Sequence, residues 1–161
     1  MSHASVKLLL HDVAKSLADN VQFGYGRRSE FNMITQKRYP YSWLQPLTST
    51  IRRNENTITT IWSGRIAFMD VDRADANEKE SEVILNKMYD LTQRYYHQLD
   101  DWFERSSDII GAITIQSFVS NPFYKDDSGI HTGWYSDFQL ITSDNFEYCT
   151  PENVDLYAGN I

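Results

Sequence analysis

The sequence predicts an α+β domain: an antiparallel four-stranded sheet made of two hairpins, packed on one face by two helices, in the order α-β-β-α-β-β. Three observations lead there. Between Lys79 and Phe103 the apolar residues Ile84, Met88, Leu91, Tyr95, Leu99 and Trp102 recur three or four apart, the spacing of one helical face. On either side of that stretch, residues alternate between apolar and polar with period two, the mark of half-buried strands. Finally, such a helix, roughly 35–40 Å long at 1.5 Å per residue, cannot hide its stripe alone and needs a broad partner.

A chain of 161 residues fits one domain, and 1–161 is read as a single unit with a flexible arm from about residue 143. Gly and Pro are sparse and no apolar run approaches the roughly 18 residues of a membrane span, so a soluble, intracellular protein is expected. The single cysteine, Cys149, excludes an internal disulfide and a thiolate metal cluster, and reads as a small structural residue. A net charge of −7 argues against a protein that grips nucleic-acid phosphates, which requires clustered Lys and Arg. It is compatible with one that lets DNA slide past. Ten Tyr and four Trp favour surfaces where an apolar body meets a polar rim, as in protein interfaces.

Taken in order, residues from Ser2 to Asn20 predict a first helix, with Val6, Leu9, Leu10, Val13, Leu17 and Val21 on one side and Ser2 or Ser5 as N-cap. Gln22 to Pro40 reads as an irregular connection, loosened at Gly24 and Gly26 and carrying Arg27, Arg28, Lys37 and Arg38. Its two readings are a solvated loop and a contact arm reaching a neighbouring subunit. Tyr39, Tyr41, Trp43 and Leu47 alternate as a strand, with Pro40 and Pro46 pointing to an edge or a bulge. A polar tip, Arg52 to Asn56, leads into the strongest strand, Thr57 to Asp72. There Ile58, Thr60, Trp62, Ile66 and Phe68 face one way and Ile61, Arg65 and Met69 the other, with Gly64 marking a bulge or a close backbone approach. Asp70, Asp72 and Asp75 lack the central glycine and ligand interval of a calcium loop, and read as a solvated lead into the long helix. The second hairpin begins at Asp108, with Ile109, Ile113 and Ile115 on one face and Ala112 and Phe118 on the other. After a loop, Trp134, Phe138 and Leu140 oppose Tyr135, Asp137 and Gln139.

No catalytic, metal-binding or cofactor motif is present. His3, His11, His97 and His131 have no ligand spacing, and His131, placed in a loop near Asp126 and Asp127, has no nucleophile beside it. The order helix, hairpin, long amphipathic helix, hairpin, together with TGWYSDFQL in its closing hairpin, resembles the tail-terminator (tail-completion) and neck-ring proteins of tailed bacteriophages, over about Ser2 to Thr142. The resemblance implies a non-enzymatic virion protein without cofactors. It would form a homo-oligomeric ring, commonly a hexamer, that caps the tail tube and joins it to the head connector or stopper, with genomic DNA only as passing cargo and no membrane. Assembly would take place in the host cytoplasm. The candidate intersubunit or partner contacts are Arg27, Arg28, Arg52, Arg53, Tyr124, Lys125, Trp134 and Tyr135. The alternatives are a small-ligand-binding domain and a host-directed adaptor.

Overall fold

The computed structural model describes residues 3–17, 21–34, 37, 39–54, 57–73, 75–110, 113–125 and 130–143, with the side chains of 54 and 106–110 left aside. The expected C-terminal arm, Cys149, Ala112, Asp126 and Asp127 lie outside them, as do Ser2 and the Asp19-Asn20 stop of the first helix. The elements are α1 (His3–Ser16), β1 (Gln22–Tyr25), α2 (Arg28–Asn32), β2 (Tyr41–Leu44), β3 (Thr48–Asn54), β4 (Thr57–Val71), α3 (Glu78–Ile110), β5 (Ile113–Phe123) and β6 (His131–Ser143).

This corrects the expected sheet. It has six strands in the order β1-β2-β4-β6-β5, with β3 also paired to β4, and it is mixed because β1 runs parallel to β2. Three helices accompany it rather than two. Both expected hairpins exist, as β3–β4 and β5–β6. The extra strand and helix come from the connection read as irregular. A parallel pair needs a crossover of about a dozen residues or more, and the segment from Gly26 to Pro40, with α2 inside it, supplies one.

The expected first strand is split in two. Leu44 pairs with Ile66 and Thr48 with Ser63, so Gln45, Pro46 and Leu47 face only Gly64 and Arg65. Pro46 cannot donate to the ladder, and the bulge forms there. A Cβ at Gly64 would lie 2.5 Å from Leu47 Cδ2 and 2.7 Å from Phe138 Cζ, so only glycine leaves room for the bulged leucine. Arg52 and Arg53 are not at a tip: they pair with Thr59 and Ile58 inside the β3–β4 ladder.

α3 starts where Asn77 caps it. The Asn77 side chain accepts from the Glu80 N–H at 3.1 Å and the Glu80 carboxylate accepts from the Asn77 N–H at 3.0 Å, a reciprocal capping box. The helix runs on past Phe103 to Ile110, because no Gly or Pro interrupts it before Gly111. Asp108 and Ile109 are therefore helical, not the start of a strand. Met88, Leu91, Tyr95 and Leu99 are buried as expected, and Ile84 and Trp102 pack at the margin. They meet Leu9, Leu10 and Val13 of α1 and Leu44, Trp62, Ile66, Phe68, Phe138 and Leu140 of the sheet. Truncating one such side chain to Ala costs about 2–5 kcal/mol. Phe118 joins this same face, against expectation, because a bulge at Gln116 shifts the register between Ile115 and Ser117. Among the described residues no helix is long and apolar enough to cross a membrane.

Candidate functional site

The opposite face of the sheet was expected to be open. It carries a second core instead, of Phe31, Tyr41, Trp43 and Met69, with Ile34, Tyr39, Ala67 and Phe123 packed around it. The crossover builds this core. Gly26 takes a φ of 150° that L side chains rarely adopt, and its carbonyl accepts the Trp43 indole N–H at 3.0 Å. A Cβ on Gly24 would collide with the Trp43 ring. The Glu30 carboxylate holds the Arg27 N–H at 2.6 Å and so starts α2. That short helix delivers Phe31, whose ring meets Tyr41, Trp43 and His131 edge-on at 5.1–5.2 Å. Burial raises the Tyr41 phenol above its ordinary pKa.

Between this arm and the far end of the sheet lies a pocket of about 340 Å³, within the range of small-ligand sites. Ala67 and Met69 form its floor, Phe31 and Trp43 one wall, and Phe123 and Tyr135 the other. Arg28, Arg65 and Lys125 stand around it with Asn32, Gln45 and Tyr124, and no carboxylate lines it. Arg65 makes a two-bond fork with Asp137, at 2.7 and 2.9 Å, and lies 4.2 Å from the centre of the Tyr135 ring. The Asp137 hydrogen bond, foremost, raises the Arg65 pKa.

Lys125, in a left-handed conformation at φ 39°, is fixed by a polar node beneath the pocket. Its N–H donates to Thr132 Oγ1 at 3.1 Å and its ammonium to the Ala76 carbonyl at 3.0 Å. Thr132 and Ser81 donate in turn to Asp72 Oδ2, at 2.7 and 2.6 Å. Asp72 is 1% exposed, not solvated as expected, and its Oδ1 has no hydrogen-bond partner. Burial pushes this carboxyl up, but the Ser81 and Thr132 hydrogen bonds, the Lys125 charge and the Arg73 N–H together outweigh it and leave the pKa below its ordinary value.

Of the residues singled out from sequence, Arg28, Tyr124, Lys125 and Tyr135 converge on this pocket, with Arg27 beside it at the start of α2. Arg52 and Arg53 do not join them. They pair about eight residues along β4 from the pocket floor, roughly 26 Å at 3.3 Å per residue. Trp134 faces the other side, donating its indole N–H to the Leu85 carbonyl at 3.1 Å and packing on Tyr89. His131 is not in a loop: it opens β6, is 1% exposed, and its Nε2 lies 2.7 Å from the Tyr39 hydroxyl. Sequence reasoning missed Phe31, Trp43, Met69 and Asp72 as parts of the site. The Tyr39, Tyr41, Trp43 alternation was the available signal, since it marked a second apolar face. Compared with known proteins, the chain matches no protein-family model and none of the curated proteins. The lining itself is built for recognition: rings for stacking, cations for an anionic group and amides for hydrogen bonds.

Proposed function

We propose that this chain is a ring-forming structural component at the head-proximal end of a phage tail, capping the tail tube and joining it to the head connector while DNA passes through the lumen. The observation that carries the reading is the pair of free strand edges on opposite sides of one sheet. Among the described residues β5 pairs only with β6, and β3 pairs only with β4. Unpaired backbone groups on such edges invite pairing with another chain. Two different edges per subunit are what a head-to-tail ring requires, because its interfaces join unlike patches. Apolar side chains stand exposed on both, Ile51 on β3 at 71% and Val119 on β5 at 58%. The net charge of −7 repels a DNA backbone and supports passage rather than gripping.

Sedimentation and negative-stain imaging of the purified chain, alone and with isolated tail tubes, tests this. Closed rings, free in solution or seated on tube ends, are expected. A chain that stays monomeric at high concentration and leaves tube ends bare overturns the reading.

A further inference from the structure

The aromatic pocket is a basic concavity in an acidic protein. Arg28, Arg65 and Lys125 line it and no Asp or Glu does, while the whole chain has net charge −7. Asp137 answers Arg65 directly, so complementarity falls mainly on the side of Arg28 and Lys125. An occupant that fits carries carboxylates next to flat or branched apolar side chains, to meet the cations at the rim and to stack against Phe31, Trp43 and Tyr135.

The chain itself contains one such stretch. Residues 144–161 hold Asp144, Glu147, Glu152 and Asp155 and no Lys or Arg, and they interleave these acids with Phe146, Tyr148, Leu156 and Tyr157. The stretch follows directly from β6, the strand that supplies Tyr135 to the pocket wall. Ser143 and Tyr135 are eight residues apart on that strand, about 26 Å. The residues from 144 to 157 span up to about 45 Å when extended, which covers the distance with room to turn. Tethering also raises the local concentration of the stretch to about the millimolar range, so modest contacts suffice for occupancy. We infer that the acidic aromatic segment 144–161 occupies the pocket of its own molecule, with its carboxylates toward Arg28 and Lys125. This inference does not depend on ring formation.

Full-length protein carrying the photo-cross-linker p-benzoylphenylalanine in place of Tyr124, at the exposed rim, provides the test, with the cross-linker at Asn32 as a second position. Irradiation followed by peptide mass spectrometry should give an adduct within residues 144–161 from either rim position, and none from a control position at Ile51 on β3. Mixing isotopically heavy and light protein should give no heavy–light adducts. Adding Arg28→Glu should reduce the adduct to the level of the Ile51 control. The inference is overturned if neither rim position reaches 144–161, if the Ile51 position does so equally well, if only heavy–light adducts form, or if Arg28→Glu leaves the yield unchanged.

Discussion

Thr132 donates its hydroxyl to Asp72 Oδ2 at 2.7 Å, joining the start of β6 to the loop that leads into α3. Ser81 completes the node from the first turn of α3 at 2.6 Å. Asp72→Ala removes a buried acceptor and leaves two hydroxyls to find new partners. Each hydrogen bond to a charged group is worth about 1.5–3 kcal/mol, and stranded partners add to the loss. A destabilisation of about 3 kcal/mol is expected, or roughly 6–12 °C in Tm for a domain of this size. Thermal unfolding by circular dichroism reads it, and a shift within experimental error would remove the node from the list of stabilising contacts.

The same carboxylate sets a pH dependence. Its pKa in the folded state lies below the ordinary 3.8, so the native state favours the ionised form. The resulting stabilisation is fully present above that ordinary value and is lost as pH falls through the lower folded value. Urea unfolding at a series of acidic pH values should therefore show a steeper loss of stability for the native chain than for Asp72→Asn. Parallel curves would contradict the assignment.

Gly133→Ala tests the closeness of β4 and β6. A Cβ there would run into the Phe68 carbonyl oxygen and lie 2.8 Å from Met69 Cα, both backbone atoms that cannot swing aside. Forcing the central strands apart should cost about 3 kcal/mol, the upper part of the range for overpacking. Chemical denaturation provides the measurement, and a neutral outcome would mean that the two strands separate more easily than their thirteen-pair register implies.

Tyr95 is fully buried on α3, and its hydroxyl donates to the Leu10 carbonyl of α1 at 3.3 Å. Burial raises this phenol far above its ordinary pKa, so it stays a neutral donor throughout the stable range. Tyr95→Phe keeps the ring and should cost about 1 kcal/mol. Tyr95→Ala should cost several times that, about 3–5 kcal/mol, through the cavity it opens.

Ile51→Lys and Val119→Lys place a charge on each free edge without touching either core. Both should abolish assembly while leaving Tm within about 1–2 °C, since exposed substitutions rarely exceed 0.5 kcal/mol. Sedimentation velocity and thermal melts on the same samples separate the two effects. Rings that persist in both variants would place the interface elsewhere.

Long-period and period-two patterns were legible in the sequence. The stripe of α3 from Met88 to Leu99 and the facing of Trp62, Phe68, Phe138 and Leu140 follow directly from spacing. What escaped were features decided by tertiary contact. β1 is four residues long with Gly24 inside it, and α2 has five residues, so neither offers a period to detect. The bulges at Gln45–Leu47 and Gln116 each shift alternation by one, which put Leu47 and Phe118 on unexpected faces. The pocket was half legible: its cations stood out as exposed charge, but its walls come from three separate segments. Asp72 looked like one more acid in a polar loop, and only the fold brings Ser81, Thr132 and Lys125 to it.

β4 bonds β2 and β3 along one side and β6 along the other, and its β6 partners lie 60 to 84 positions downstream. At about 5–20 residues per second, a ribosome needs several seconds to deliver them. During that interval Ile61, Trp62, Ile66 and Phe68 sit on a strand with one ladder missing. The newborn chain is therefore most vulnerable to mispairing with its own siblings just before translation reaches His131, and its yield in cells should depend on how crowded with nascent copies that window is.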